Sequence, residues 1–202
     1  MDRSTMAVLA GNANPQLAHD IARHLMVPLG RVAVSRFSDS ETTVELLENV
    51  RGRDVFIVQP TCPPSDRHLM ELLMMLDAAR GASAARITAV IPHYAYARSD
   101  KKDAPRISIG GRLVADLIDT AGANRVLTMA LHSPQVHGFF SVPVDHLNAL
   151  NVIADHFRQT DLANAIVVSP DLGNAKAATQ FARLLGLSLP GDYEAQWRFG
   201  EQ

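Results

Sequence analysis

Short apolar runs alternate with longer amphipathic segments along most of the chain. The runs are rich in Val, Ile and Leu and have the length of buried strands; they occupy residues 6–9, 31–34, 55–58, 87–91, 125–129 and 166–168. The longer segments carry apolar residues at helical spacing and occupy residues 14–25, 65–80, 109–121, 147–157 and 174–185. Strands that alternate with helices predict an α/β fold: a doubly wound, mostly parallel sheet with helices on both faces.

Local signals add detail to several of these elements. Asn14 followed by Pro15 predicts a helix N-cap with proline at the first helical position. Residues 43–46 alternate between apolar and polar, which predicts a half-exposed strand. Neither the helical nor the strand periodicity of apolar residues continues past Pro190. We therefore expect one domain over residues 1–190 and an irregular tail over 191–202. Three methionines of the second helix are expected to pack in the core: Met70, Met74 and Met75.

Composition excludes several classes of protein. Hydrophobic residues make up 47% of the 202 residues and charged residues 20%, as in soluble domains with a sizeable core. The formal net charge of −2 gives no general affinity for nucleic acid, so a polyanion site must be a local patch. Cys62 is the single cysteine, which excludes a disulfide framework and fits a reducing compartment. No signal-peptide pattern or membrane-length apolar run occurs, so we expect a cytoplasmic protein that does not bind membranes.

The strand at residues 87–91 leads directly into a loop with two tyrosines and four cations. Ligands of open α/β sheets bind beyond the carboxyl ends of the strands, and a guanidinium can bond two phosphate oxygens at once. This loop is therefore a candidate polyanion site, and the alternative is a solvated basic loop. The tyrosines favour a ligand site, because a solvated loop does not require aromatic side chains. The loop carries Tyr94, Tyr96, Arg98, Ser99, Asp100, Lys101, Lys102, Asp103 and Arg106.

Three more predicted strands end in polar or aromatic side chains. The carboxyl ends of parallel strands lie at one edge of a sheet, so these groups can converge with the basic loop although they are distant in sequence. The groups are Phe37, Asp39 and Glu41 after the second strand, His132 and Gln135 after the fifth, and Ser169 and Asp171 after the sixth.

His132 and Asp171 together offer a nitrogen and an oxygen ligand for a divalent cation. Magnesium commonly takes one or two protein ligands and completes its shell with water and substrate phosphates. The alternatives are that His132 is a structural hydrogen-bonding residue and that Asp171 caps a helix. The sequence contains neither a P-loop nor a complete dinucleotide-binding fingerprint. Three other histidines are expected to be structural or surface residues: His137, His146 and His156.

Four motifs, in order, closely resemble the N-terminal half of ribose-phosphate pyrophosphokinases, also called phosphoribosyl pyrophosphate synthetases. They are RFSDSE at 36–41, YARSDKK at 96–102, LHSPQVHGFF at 131–140 and VSPD at 168–171, and the resemblance covers about residues 6 to 190. It implies a phosphoribosyltransferase-like domain, one of two that face each other in the family. The implied reaction transfers diphosphate from ATP to ribose 5-phosphate and makes phosphoribosyl pyrophosphate for nucleotide biosynthesis.

The resemblance also implies roles for individual residues and assembly into a homodimer or homohexamer. The hairpin residues Phe37, Asp39 and Glu41 would hold the adenine of ATP bound to a neighbouring subunit, and the alternative is that Phe37 packs in its own core. The basic loop would bind ATP through Arg98, Ser99, Asp100, Lys101 and Lys102. His132 and Asp171 would help to hold Mg²⁺. An allosteric phosphate or ADP would bind near Arg51, Ser83 and Arg106.

The sequence departs from the family pattern at several positions. The family usually has Gln where this chain has Ser99, Asp where it has Ala130, and Pro-Ile-Ser where it has residues 108–110. The family's second half, with the catalytic loop and the loop that binds ribose 5-phosphate, has no counterpart in this sequence. Residues 118–122 imitate part of the second of these loops but are expected to cap a helix.

Three hypotheses are consistent with a sequence that carries the family's motifs but differs from the family at these positions. The first is the ATP-side domain of a diphosphokinase, present as an incomplete chain that would need the second domain to bind ribose 5-phosphate and would be inactive alone. The second is a non-catalytic regulatory homologue that associates with a complete synthetase, which Ala130 and Ser99 favour. The third is a free-standing module that binds a nucleotide or phosphate.

Overall fold

A five-stranded parallel sheet forms the centre of the first of two units of the chain, the unit that ends at Leu147. The computed structural model describes residues 5–187. The strands are β1 (Met6–Ala10), β2 (Val32–Arg36), β3 (Thr42–Leu46), β4 (Asp54–Val58), β5 (Arg86–Ile91), β6 (Arg125–Met129) and β7 (Val144–Leu147). The helices of this unit are α1 (Pro15–Leu25), α2 (Ser65–Gly81) and α3 (Gly110–Ala121). The order of strands in the sheet is β1-β4-β5-β6-β7.

Each face of the sheet carries its own hydrophobic core. In β1, Ala7 and Leu9 belong to one core, with buried residues of α2 and α3, while Val8 belongs to the other, with buried residues of α1. Successive side chains of a strand point to opposite faces, so a strand buried on both sides is apolar throughout. The prediction of a doubly wound α/β sheet with helices on both faces is confirmed.

Helix α1 begins as the sequence predicts. The Oδ1 of Asn14 accepts a hydrogen bond from the backbone N–H of Leu17 at 3.0 Å, and Pro15 occupies the first turn. Helix α2 also matches its prediction, but the expectation for its methionines holds only for Met75, which is buried. Met70 and Met74 are 49% and 39% exposed, because the helix face that carries them borders the surface beside β3.

Strands β2 and β3 form a separate antiparallel hairpin that is not part of the five-stranded sheet. The residues after β2 therefore do not follow a strand of the parallel sheet, so the reason given for their convergence with the other strand ends does not apply to them. Only one side of the hairpin is covered: Val32, Val34, Val44 and Leu46 pack against the larger core. This half-burial explains the apolar–polar alternation in the sequence.

Strand β7 is absent from the sequence-based prediction, which assigns a helix to residues 147–157. The strand pairs in parallel with β6, and Arg125 and Asp145 form a two-pronged ion pair between the two strands, with Nε–Oδ2 at 2.5 Å. It escaped prediction because it is short and contains two polar residues, Asp145 and His146.

The second unit begins at Asn148 and contains α4 (Leu150–Phe157), a 3₁₀ turn (Leu172–Asn174) and α5 (Ala175–Leu185). The rings of Phe157 and Phe181 join the two helices edge to face, 6.0 Å apart. The prediction of a strand at residues 166–168 is wrong. The segment pairs with no strand of residues 5–187, and Ile166 and Val168 are 68% and 67% exposed. The predicted tail at 191–202 and its boundary lie outside the described residues. Within residues 5–187, no helix is long and apolar enough to cross a bilayer.

Candidate functional site

The loop after β5 is fixed at its start by Thr61, which follows β4. Thr61 is fully buried, and its hydroxyl donates to the His93 carbonyl at 2.9 Å while accepting the Ala95 N–H at 2.7 Å. The backbone N–H of Thr61 donates to the same His93 carbonyl at 2.8 Å. The ends of two adjacent strands are thus joined by side-chain and backbone hydrogen bonds, and the loop leaves the sheet in a defined direction.

Tyr94 connects this loop to two other parts of the site. Its hydroxyl donates to the Gly111 carbonyl at 2.8 Å, and its ring meets Phe140 edge to face at 5.5 Å. Burial raises the pKa of Tyr94, and the carboxylates of Asp119 and Asp116 raise it further. Tyr94 is therefore a neutral hydrogen-bond donor inside the protein. Of the two tyrosines in the loop, only Tyr96 is exposed.

Ser99 joins the basic loop to the start of α3. Its hydroxyl donates to the Ser108 carbonyl at 3.0 Å and accepts the Gly110 N–H at 2.9 Å. Its carbonyl accepts the Gly111 N–H at 3.0 Å. A Cβ on Gly111 would lie 3.2 Å from the Tyr96 carbonyl oxygen, so glycine allows the helix to approach the loop this closely.

The structure places the cations of this loop at the surface. Lys101 pairs with Asp103 at 3.6 Å, with both side chains about 70% exposed, and an exposed pair of this kind contributes little to stability. No other side-chain ion pair or hydrogen bond of the loop's cations occurs within residues 5–187. The loop therefore presents cationic donors to solvent, which fits both a polyanion site and a solvated basic loop. The exposed cations are Arg98, Lys101, Lys102 and Arg106.

The loop after β6 presents His132 at the surface. The preceding Leu131 N–H donates to Nε2 of His146 at 3.1 Å, which confirms the structural role expected for His146. Ala130, just after the strand, has a left-handed backbone with φ of 48°. The imidazole of His132 is exposed and has no protein partner in the described part of the chain, so the alternative of a structural hydrogen-bonding role finds no support.

Asp171 belongs to the second unit and caps the 3₁₀ turn that precedes α5. Its Oδ1 accepts the Asn174 N–H at 2.9 Å, which confirms the capping alternative; its place in a metal site stays a prediction. Among residues 5–187, no group of three or more His, Cys, Asp or Glu side chains is arranged to hold a metal ion. A magnesium ion that takes most of its ligands from phosphates and water does not need such a cluster.

The turn of the β2–β3 hairpin carries Phe37, Asp39 and Glu41. The turn is closed by hydrogen bonds from Phe37 N–H to the Glu41 carbonyl at 2.9 Å and from Glu41 N–H to Asp39 Oδ1 at 3.1 Å. Phe37 is 58% exposed, so the alternative that it packs in its own core is wrong. A cavity of about 470 Å³ beside the turn is lined by Glu41, Arg36, Arg67 and Met70, among others.

A buried polar network, which the sequence patterns do not predict, connects this hairpin to the main sheet. Glu71 of α2 is 1% exposed and accepts hydrogen bonds from Gln59 at 3.0 Å, Arg67 at 3.0 Å and Asn12 at 3.2 Å. The same amide of Asn12 donates to the Val34 carbonyl of β2 at 3.1 Å. The only hint in the sequence is an acid beside the apolar positions of α2.

Two of the three predicted allosteric residues lie together. The Gly52 N–H donates to the Ser83 carbonyl at 2.9 Å, which brings the turn that contains Arg51 beside Ser83. Ser83 has a left-handed backbone with φ of 62°. In the described part of the chain no hydrogen bond joins Arg106 to either residue, and Arg106 lies in the basic loop instead.

Comparison with known proteins gives consistent matches. The family described as the N-terminal domain of ribose phosphate pyrophosphokinase matches residues 6–122. A relative from Streptomyces coelicolor is 66% identical over 181 residues, which make up 90% of this chain and 57% of the relative. The ribose-phosphate pyrophosphokinase of Deinococcus radiodurans is 54% identical over 93% of this chain and 59% of its own length.

A solved structure supports the same relationship. The crystal structure of phosphoribosylpyrophosphate synthetase from Mycobacterium smegmatis superposes with a TM-score of 0.83 at 41% identity. The match covers 92% of this chain and 63% of that one. The chain thus spans less than two thirds of the length of these relatives.

Proposed function

Because the chain belongs to the ribose-phosphate pyrophosphokinase family, we propose that it provides the ATP-binding side of a ribose-phosphate diphosphokinase. The proposed reaction moves diphosphate from ATP to ribose 5-phosphate and yields phosphoribosyl pyrophosphate, a precursor in nucleotide biosynthesis. Catalysis of such an in-line displacement depends mainly on positioning and charge neutralisation. The proposed setting is the cytoplasm, without nucleic acid or membrane as a partner.

The observation that carries the proposal is the basic loop after β5. Its base is held by Thr61 and Tyr94, while Arg98, Lys101 and Lys102 extend from it as exposed cations. The Arg98 guanidinium has no protein partner in the described residues, and its fork can bind two phosphate oxygens with charge-assisted hydrogen bonds. The loop therefore suits the polyphosphate of ATP, with Asp100 and Ser99 at its near end.

His132 and Asp171 are the proposed protein ligands of Mg²⁺. The His132 imidazole has no protein partner among residues 5–187, and one carboxylate oxygen of Asp171 is left after Oδ1 caps the turn. One nitrogen and one oxygen suffice for an ion whose other ligands are phosphates and water. When bound, the ion would neutralise charge on the phosphates.

The proposed assembly is a homodimer or homohexamer. The exposed side chain of Phe37, with Asp39 and Glu41 on the same closed turn, is available to a nucleotide bound by a neighbouring copy. Ribose 5-phosphate would bind only where the family's second domain is present. The 202-residue chain alone is therefore proposed to bind ATP without transferring its diphosphate. An allosteric phosphate is proposed to bind near Arg51 and Ser83, which lie together, and Arg106 of the basic loop is a separate candidate for the same role.

A second candidate is a non-catalytic subunit that associates with a complete synthetase. It is favoured by Ala130, where the family usually has Asp, and by Ser99, whose hydroxyl is engaged by backbone groups. A free-standing nucleotide- or phosphate-binding module remains the third. Co-purification with a complete synthetase of the same organism, which restores or modulates its activity, is the result that distinguishes the second candidate from the other two.

The proposal is tested by titration calorimetry of the 202-residue chain with Mg-ATP, followed by an assay of AMP release from ATP and ribose 5-phosphate. We expect weak ATP binding and no AMP release by the chain alone. Failure to bind Mg-ATP or Mg-ADP at millimolar concentration would overturn the nucleotide site. Turnover comparable to that of a complete synthetase would overturn the role given to the second domain.

A further inference from the structure

We propose that Ser99 is a positioning residue: it closes the part of the basic loop that spans residues 100–109, and thereby holds the loop's cations in place for a polyphosphate. The inference rests on the proposed function and changes the role of Ser99 within it. The family resemblance implies a direct contact between Ser99 and ATP, whereas the hydrogen bonds of its side chain point to an indirect one.

The side chain of Ser99 connects the two ends of the loop. A hydroxyl has one proton to donate, and that of Ser99 goes to the Ser108 carbonyl at 3.0 Å. The same oxygen accepts the Gly110 N–H at 2.9 Å. Residues 101–108 between these points are exposed and contain no helix or strand. One hydroxyl thus restrains a segment that has little other structure to define its shape.

The same contacts decide where an anion can bind. The first N–H groups of a helix lack partners within the helix and often bind phosphate. At the start of α3, the Gly110 N–H donates to the Ser99 hydroxyl and the Gly111 N–H donates to the Ser99 carbonyl. The next two N–H groups donate to the Ile109 carbonyl. All four donors are engaged, so the helix N-terminus does not bind the polyphosphate and the side-chain cations must do so.

Closure of the loop affects affinity because binding loses less conformational entropy when the cations are already in place. A flexible loop must be ordered at the moment of binding, and that cost is subtracted from the affinity. Arg98 directly precedes Ser99, and Lys101 and Lys102 follow it within three residues. Ser99 therefore restrains the backbone from which all three cations extend, without itself contacting phosphate.

The test compares the full chain with its Ser99→Ala and Ser99→Thr variants. Hydrogen exchange of the Gly110 amide and of loop amides 101–108 reports closure, and calorimetry with tripolyphosphate and with Mg-ATP reports binding. In Ser99→Ala we expect faster exchange and roughly tenfold weaker binding, the size of one lost hydrogen bond. In Ser99→Thr, which keeps a hydroxyl, the exchange rates and the affinities should remain close to those of the parent chain.

The salt dependence of binding separates positioning from direct contact with charge. Ser99→Ala should leave the slope of affinity against salt unchanged because no cation is lost, whereas Lys102→Ala should flatten it. Faster loop exchange with unchanged tripolyphosphate affinity would overturn the positioning role. Unchanged exchange in Ser99→Ala would overturn the closure itself. If the parent chain binds neither probe, the proposed nucleotide site fails and the positioning role fails with it, while the exchange data still decide the closure.

Discussion

Gln59 donates a hydrogen bond from Nε2 to Oε2 of Glu71 over 3.0 Å, and both side chains are almost completely buried. Gln59 follows β4 and Glu71 lies in α2, so the bond fixes the helix to a strand end of the main sheet. The Oε1 of Glu71 also accepts from Asn12, which in turn donates to β2. The buried carboxylate of Glu71 therefore helps to position the hairpin that carries Phe37, together with the packing of the hairpin's apolar side chains against the larger core.

Removing that carboxylate should destabilise the protein. Glu71→Ala removes one of the two acceptors of each amide, so that Gln59 keeps only the His68 carbonyl and Asn12 only the Val34 carbonyl. We expect a loss of about 2–3 kcal/mol in the free energy of unfolding, because one N–H of each amide is left unpaired and that of Gln59 is buried. Arg67, whose side chain is 40% exposed, can turn to water and adds little to this loss. Glu71→Gln retains an acceptor oxygen and should lose less. Urea denaturation measures the free energy of unfolding of both Glu71 variants. The control is Glu45→Ala, which removes an exposed acid of β3 and should change stability by less than about 0.5 kcal/mol.

Arg98 should contribute to nucleotide affinity without contributing to stability. A charge-assisted hydrogen bond to phosphate is lost in Arg98→Ala, so we expect roughly 10- to 100-fold weaker binding of Mg-ATP. Arg98→Lys keeps the charge but not the planar guanidinium, so its affinity for Mg-ATP should lie between those of the parent chain and Arg98→Ala. The control is Arg23→Ala on α1, where the arginine is also exposed, pairs with Asp20 and is distant in sequence from the loop. Equal affinity in Arg98→Ala and the parent chain would remove Arg98 from the site.

Ala130 occupies a backbone conformation that suits glycine or asparagine better than alanine. With φ of 48°, its Cβ is crowded against the following peptide. Ala130→Gly should stabilise the protein by about 1 kcal/mol, because the relief of strain exceeds the extra flexibility of glycine in the unfolded chain. Ala121→Gly, in α3, should have the opposite sign, with a loss of up to about 1 kcal/mol. Thermal and urea unfolding of the two variants show whether the two substitutions change the free energy of unfolding in opposite directions.

Those parts of the fold that depend on local pattern could be predicted from the sequence. The start of α1 is set by Asn14 and Pro15 within a few residues, and the buried strands are recognisable because both faces are apolar. The segment at 166–168 has the same composition but forms no strand, because a strand requires a neighbouring backbone that local sequence does not specify. The short β7 shows the converse: its pairing with β6 is definite while its sequence signal is weak.

The charged residues of the candidate site could be predicted from the sequence, but the residues that hold the loop in place could not. The cations of the basic loop are visible in the sequence because Arg98, Lys101 and Lys102 follow a buried strand. The residues that hold the loop, Thr61 and Ser99, act through hydrogen bonds to backbone groups that only the fold brings near. A threonine or serine carries no sequence signal that separates such a role from an ordinary surface position.

Tyr94 should make the protein sensitive to high pH. Burial raises its pKa in the folded state above the value of about 10 that it has in the unfolded chain. The folded state keeps the proton where the unfolded state releases it, so this contribution is fully present below pH 10 and is lost as the pH rises beyond it. In that range, the free energy of unfolding should fall by up to about 1.4 kcal/mol per pH unit.

Tyr94→Phe tests this directly. At neutral pH the variant should be about 1 kcal/mol less stable, because the hydrogen bond to the Gly111 carbonyl is lost. Above pH 10 its stability should fall less steeply than that of the parent chain, so the two curves should approach each other. Tyr96→Phe is the control, since that side chain is 48% exposed and should leave the slope unchanged. Urea denaturation at intervals from pH 8 to pH 11 provides the comparison, and parallel curves for Tyr94→Phe and the parent chain would show that the Tyr94 hydroxyl can ionise without unfolding.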